Sequence, residues 1–413
     1  MTSILIITAD GCTPELDYAV FRMREEEFKV TIAAPKKRRL HVVLHQQEQG
    51  WDTYAELPWY TWNADASLDE IDPSAFDGLL LPGGRAPEDL RHNESCIRIV
   101  RHFLESNKPI GAISRGPLIL LEAGLRGTGR RLTGLSLIKP RVVLNGCIYT
   151  DARDEAVVDG NIVTVTDRPY YHVWIREFLS LLRGTHALPQ KLSNATRILI
   201  MIAEASSSGH YDNAYFRMLE EGFAVTTAAP VKKPTRTVIH LTGGLDGTWD
   251  PYQEMPGTII HPDASFDEID PSEYAALIIP GGRGPEHMRV DQRCLNIVRD
   301  FHDNDKPMAF ICHSTPILTD VLLAAGVKSK RLMGLDGVKA DVVASGYTWV
   351  YSPGEAITDG NIVTAWRRPD HDVWMRAFVN LLEKRGIRPS RQGLVAGSTK
   401  IGVVPAAGAM AAG

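Results

Sequence analysis

Ala309 to Leu318 reads AFICHSTPIL, a thiol and an imidazole side by side between an apolar run and a segment with the character of a helix start. A strand that runs straight into a helix leaves the residue between them in a tight turn, with its side chain presented toward the helix N-terminus. The dipole of that terminus and the imidazole of His313 both favour the thiolate of Cys312, the form that attacks electrophilic carbon. In an apolar core the same cysteine would be an inert small residue. The strand-to-helix setting favours the nucleophile.

The elements around this turn occur twice. LDEIDPSAFDGLLLPGGRAPEDL at Leu68 to Leu90 returns as FDEIDPSEYAALIIPGGRGPEHM at Phe266 to Met288, identical at 13 of 23 positions, and this degree of self-similarity is the mark of a duplication. ILIITAD and ILIMIAE, FRMREEEFKVTIAAP and FRMLEEGFAVTTAAP, and two copies of DGNIVT keep the same order. The halves span 1–187 and 195–385, joined by the polar stretch HALPQKLSNAT and followed by a Gly/Ala-rich tail over 386–413. In each half short apolar runs alternate with helix-like segments, a pattern that predicts an α/β fold with a buried, doubly wound parallel sheet. Ligands of such sheets bind beyond the carboxyl ends of the strands, where Cys312 stands.

Composition excludes several functions. With 45 Lys and Arg against 50 Asp and Glu, the formal charge of -5 offers no basic face for nucleic acid or anionic lipid. The run Lys36 to Arg39 reads as a solvated loop. No stretch reaches the roughly 18 apolar residues of a membrane span, and no export signal opens the chain, so a cytoplasmic protein is expected. The five cysteines, Cys12, Cys96, Cys147, Cys294 and Cys312, form no C-x-x-C pair and fit reduced thiols. No histidine pair has metal-ligand spacing on a helix and no phosphate-binding glycine motif follows the first strand, so neither a metal nor another cofactor is implied.

ICHSTPIL together with PGGRGPE resembles the ThiJ/PfpI superfamily, relatives of class I glutamine amidotransferases. The similarity runs once through each half and is strongest to tandem-domain members, among them plant glyoxalase III-type proteins. The resemblance implies two flavodoxin-like domains related by a pseudo-two-fold, a cysteine nucleophile and a first-loop glutamate beside it. Gly281, Gly282 and Arg283 would flank an oxyanion hole built from the Gly282 and His313 amides, where glycine lets the backbone approach the substrate oxygen. His371 matches a histidine of tandem members where the first half has Tyr171, and the resemblance implies a place for it among the substrate-binding residues. Trp249, Tyr252, His240 and His261 fall in an insertion that shapes the pocket in relatives, although residues of these types more often serve packing.

The halves depart from one another at these positions. The first has AISRGPLIL, so Ser114 and Arg115 stand where the second has Cys312 and His313. Arg115 stays protonated and cannot take a serine proton, which makes the first site degenerate. Glu15 occupies the first-loop acid position of the first half. Counting six residues on from Glu204 puts His210 at that position in the second, with Asp212 as an alternative acid and Ser206 to Ser208 around it. His210 in such a place could take the thiol proton or stabilise the thiolate; the alternative is a solvated loop histidine.

In assembled relatives the glutamate of PGGRAPE reaches the histidine after the nucleophile across an interface. On that pattern Glu88 would orient His313, and Glu286 would meet Arg115 as a salt bridge; a helix-capping role for each glutamate is the alternative. The expected function is a cofactor-independent cysteine enzyme for a small carbonyl, acyl or nitrile-like metabolite, of hydrolase, hydratase or lyase type. Glyoxalase III-like or deglycase-like aldehyde detoxification, and a non-catalytic chaperone or redox sensor, are the alternatives. The partner is a small-molecule substrate. The tandem chain would form an intramolecular pseudo-dimer, with further self-association by analogy only.

Overall fold

The computed structural model describes residues 1–46, 53–185, 196–243 and 249–389. The segment joining the halves and nearly all of the tail lie outside the described residues.

Each half is a seven-stranded sheet between helices. In the first the strand order is Val157–Asp159, Ile162–Val165, Ile110–Ile113, Gly78–Leu81, Ser3–Ile7, Lys29–Ala34, Ala66–Ser67. All neighbours run parallel except the outermost pair, 157–159 with 162–165. The second repeats this order through Ala356–Asp359, Ile362–Ala365, Met308–Ile311, Ala276–Ile279, Arg197–Met201, Ala224–Ala229 and Ala264–Ser265. Covered on both faces, the central strands carry uninterrupted apolar residues: GLLL at 78–81 and MAFI at 308–311 are wholly buried.

The halves meet across helices Glu15–Glu25 and Ser208–Glu221. Ten residues of the first are buried, including Glu15, Asp17, Arg22 and Glu25. A surface helix keeps its charges in water; this one has its own sheet on one side and the second half on the other. The charges therefore pair. Arg22 Nε donates to Glu220 at 2.7 Å and Arg217 Nε to Glu25 at 2.8 Å, and the Tyr18 hydroxyl donates to Glu220 at 2.6 Å. Pseudo-symmetry also sets Arg168 against Asp212 and Arg368 against Asp17 across the junction, at 2.7 and 2.8 Å.

Two antiparallel hairpins, Arg39–Gln46 with Ala55–Asn63 and Thr235–Gly243 with Trp249–Ile260, lie against each other on the same side. The Ile259 amide donates to Gln46 Oε1 between them. One apolar core consequently runs from the first half through the junction into the second, while a smaller core fills the far face of the second sheet.

Candidate active site

The strand Met308–Ile311 ends directly at Cys312, which adopts φ 63°, and the helix Thr315–Ala324 begins three residues later. A left-handed φ costs a non-glycine residue on the order of 1–3 kcal/mol and persists only where the surroundings impose it. Here Ser314 clamps the turn: its Oγ accepts from the Ile311 amide and donates to the Ile311 carbonyl, both at 2.8 Å. Ser114 keeps the same strain at φ 61°. The elbow thus survives in the first half with serine in place of cysteine.

Gly281 lies against the thiol. A Cβ there would sit 2.6 Å from Cys312 Cβ, 2.8 Å from the Ile311 carbonyl oxygen and 2.9 Å from His210 Nδ1. Gly281→Ala should therefore cost about 1–3 kcal/mol in urea unfolding through overpacking and slow alkylation of Cys312. Wild-type values in both measurements would show that the elbow tolerates displacement.

Cys312 is 6% exposed. Burial pushes its thiol up to about 11, against opposing pulls from the Gly282 and His313 amides and the charge of Arg367. This corrects the expectation of a lowered thiol pKa: the turn does aim two amides at the sulfur, yet removal from water outweighs them. Proton removal must then accompany attack. His313 Nδ1 lies 3.4 Å from Sγ, and burial lowers the imidazole below its ordinary range, which keeps it neutral and able to accept.

His210 occupies the place that Glu15 holds in the first half. The Gly83 amide donates to Glu15 Oε1 at 2.8 Å, and the Gly281 amide donates to His210 Nδ1 at 3.1 Å. An acceptor Nδ1 puts the ring proton on Nε2, and burial holds the ring neutral. His210, one of the residues lining the pocket, is therefore a neutral ring with its proton on Nε2. Asp212, the other acid considered, is engaged with Arg168, and its carboxyl is raised by burial to about 6.

His371 lies behind His210, ring centroids 5.0 Å apart, and borders a separate cavity of about 10 Å³ at the junction of the halves. It does not line the substrate pocket, as the resemblance implied it would. In the first half the Tyr171 hydroxyl donates to Glu15 Oε2 at 3.2 Å. The Glu–Tyr pair of one half is thus exchanged for a His–His pair in the other.

The expected exchange of glutamates between halves does not occur. Arg115 Nε is 3.1 Å from Glu88 Oε1 of its own half, and the carboxylate whose charge acts on His313 is Glu286, also of its own half. The halves join through the two long helices and the hairpins, which leaves each Pro-Gly-Gly loop beside its own elbow. Arg115 also donates to the Gly84 carbonyl at 3.3 Å and the Tyr54 hydroxyl at 3.0 Å. Its side chain reaches the tyrosine equivalent to Tyr252 and occupies space that the second half leaves open.

That space is a pocket of about 320 Å³, lined by Cys312, His313, His210, His240 and Tyr252 among others. His240 Nε2 meets Glu254 Oε2 at 3.1 Å, and Arg283 Nε donates to the same oxygen at 2.7 Å. Arg283 thus braces the wall through Glu254 and, contrary to the expectation that it binds substrate, is not among the pocket-lining residues. Trp249 stands at the start of its strand, but its side chain lies outside the described residues.

Sequence reasoning missed Tyr60, Thr61, Arg367 and Arg368. The first two come from the hairpin of the first half, and Gly209 makes room for Tyr60: a Cβ there would lie 2.9 Å from the ring. The degenerate half therefore supplies one wall of the pocket. The arginines could have been found by aligning TDRPYYH with WRRPDHD, where Asp167 faces Arg367.

The profile of the DJ-1/PfpI family matches residues 2–181 and 196–381, once per half. The chain belongs to the DJ-1/PfpI family. It is similar to the protein DJ-1 homolog D of Arabidopsis thaliana, 34% identical over 81% of this chain and 84% of that one. It is also similar to a deglycase of Thermococcus kodakarensis, 38% identical over 44% of this chain and 99% of the relative. Among solved structures, a two-domain protein of Anabaena variabilis with DJ-1/ThiJ/PfpI-like and ferritin-like domains covers 46% of this chain and 50% of its own, with 26% identity and a TM-score of 0.38. Among the described residues of this DJ-1/PfpI chain no group of three His, Cys, Asp or Glu side chains could hold a metal ion, and no helix is long and apolar enough to cross a membrane.

Proposed function

We propose that the second half is a cysteine-dependent enzyme acting on a small electrophilic carbonyl metabolite, with the first half serving as scaffold and pocket wall. The observation that carries this reading is Cys312 in a strained elbow, with the Gly282 and His313 amides directed at it, on the wall of a 320 Å³ pocket. The deglycase relatives support an aldehyde or glycation-related chemistry.

The residues suit addition to a carbonyl. His313 Nδ1 takes the thiol proton as Sγ bonds to the carbonyl carbon. The π electron pair moves onto oxygen, which the Gly282 and His313 amides stabilise, and the proton ends on that oxygen to give a hemithioacetal. His210, neutral and donating through Nε2, adds a third donor, where a glutamate would offer its protonated carboxyl. A redox-sensing role is less well supported, because a thiol held near 11 is almost entirely protonated at neutral pH and so reacts slowly with oxidants.

The test is turnover of a panel of aldehydes, 2-oxo compounds and activated acyl compounds, methylglyoxal included, by wild type and His313→Asn. The variant should lose roughly 10²- to 10⁴-fold in kcat, the range of general base catalysis. A base must be neutral, and the His313 pKa is depressed; wild-type activity should hold to pH values below the ordinary imidazole range before falling. Absence of turnover across the panel, or a wild-type kcat in His313→Asn, would refute the proposal.

A further inference from the structure

Two adjacent arginines face the pocket, and only one is committed to structure. Arg368 donates to Asp17 Oδ1 at 2.8 Å, and its guanidinium lies 4.0 Å from the centroid of the Tyr60 ring and 5.0 Å from that of Trp62. Hydrogen bond and rings together tie it to the first half. The Arg367 side chain forms no ion pair or hydrogen bond among the described residues. Its guanidinium stacks 3.8 Å above the Trp366 ring, which fixes its direction, and its Nε is buried without a partner. A buried donor without an acceptor is costly, and a cation held rigidly at a pocket wall is suited to an anion brought by a ligand.

Comparison with the degenerate half sharpens this. There the elbow carries Arg115, paired with Glu88, and the position equivalent to Arg367 is Asp167, whose carboxyl is raised to about 7 by removal from water and by the charge of Glu15, with Arg115 opposing. The cation of that site is thus paired with a carboxylate of its own half. In the second half the elbow carries neutral His313, and the acid has become Arg367. Of the carboxylates around it, Glu254 is engaged with His240 and Arg283 and Asp17 with Arg368, while the charge of Glu286 acts on His313 and His240. Asp370, whose carboxyl senses Arg367, accepts instead from the Gly354 amide at 3.0 Å and is not ion-paired with the arginine. The Arg367 guanidinium at the pocket wall is thus left without an ion-pair partner among the described residues.

We infer that Arg367 is a specificity residue for the carboxylate of the substrate, and that the pocket takes small carbonyl compounds bearing a carboxylate in preference to neutral ones. This rests on the proposed role of Cys312 and adds the substrate class. The carbonyl carbon meets Sγ, its oxygen the two amides, and the carboxylate the guanidinium.

Alkylation of Cys312 by iodoacetate and by iodoacetamide tests this without any turnover. The reagents are nearly the same shape and differ by one negative charge. In both, the S–C bond forms as C–I breaks, iodide leaves with the electron pair, and the thiol proton passes to solvent. The thiolate fraction cancels in the ratio of the two rates measured at one pH by peptide mapping of Cys312.

Relative to a free thiol such as N-acetylcysteine, the full chain should favour iodoacetate by roughly tenfold, the lower end of what a cleft of one charge sign produces. The excess should disappear in Arg367→Gln, persist in Arg367→Lys, and shrink from about 50 mM to about 1 M salt, where the Debye length falls to roughly 3 Å. A wild-type ratio equal to that of the free thiol, or an equal excess in Arg367→Gln, would overturn the assignment. If Arg367→Gln does not fold, the wild-type ratio and its salt dependence decide the question alone. Loss of the charge preference with aldehyde turnover intact removes only the carboxylate subsite. An intact preference without turnover of any carbonyl removes only the proposed reaction.

Discussion

Cys312→Ala should abolish turnover of whichever carbonyl compound the wild type converts, by roughly 10⁴-fold or more, the scale on which loss of a nucleophile is felt. Ser114→Ala should leave kcat and KM within about twofold of wild type, because the space before Ser114 is taken by Arg115 and its partners Glu88 and Tyr54. The contrast matters more than either variant alone. Both residues hold the same strained backbone at φ 63° and 61°, so equivalent substitutions impose comparable structural change and differ only in the chemistry removed. Steady-state kinetics on the two variants decides it. Residual activity in Cys312→Ala, or a large loss in Ser114→Ala, would show that the elbow geometry or the first half carries the reaction.

The second large effect is on stability. Arg217→Met removes one cation from the buried group formed with Glu25, Arg22 and Glu220, whose side chains are only 5–6% exposed. Breaking such a pair should cost about 3–5 kcal/mol in equilibrium urea unfolding, since the remaining carboxylate stays out of water. Replacing all four residues by apolar ones of similar volume should cost far less, because no charge is then stranded.

The penalty should also depend on pH. Burial already raises the Glu25 carboxyl, and Arg217 is the strongest opposing influence. Without Arg217 its folded-state pKa rises further above the unfolded value. The stability tied to its protonated form is then fully present below the unfolded pKa and lost as pH rises through the folded one. Arg217→Met should therefore fall further behind wild type at pH 7 than at pH 5. An equal deficit at both would mean that lost packing, not the stranded charge, causes the effect.

Much of this architecture was legible because repetition and short-range backbone rules carry it. The 13 identities between the Pro-Gly-Gly segments reveal two domains. Apolar runs such as GLLL and MAFI are buried strands, and the apolar-run-to-helix signal at Ile311 and Cys312 coincides with a left-handed turn. The placement of His210 opposite Glu15 by counting residues agrees with the shared hydrogen bond from Gly281 and Gly83. By contrast, Arg22 with Glu25 and Arg217 with Glu220 have the i,i+3 spacing of a solvated helix face. Nothing local distinguishes such a face from one buried against a second domain.

The failures have the same origin. Glu88 and Glu286 are equivalent in sequence, and only the manner in which the halves join decides that each serves its own elbow. The Cys312 environment was read from the helix terminus and His313, both local, whereas desolvation depends on everything packed around the thiol and reverses the expected shift. Arg367 is not distinguished in the sequence, because an arginine before an arginine reads as surface charge until the pocket and the partners taken by its neighbours are seen.

The sequence by itself determined the duplication, the doubly wound sheets, the one surviving thiol and the residues exchanged around it, since these follow from periodicity, turn chemistry and comparison of the chain with itself. Tertiary structure alone decided which half lends Tyr60 to the pocket, which carboxylate faces His313, how the thiol ionises and which arginine is left without a partner. Those properties depend on distance and on the exclusion of water, and both are set by residues far apart along the chain.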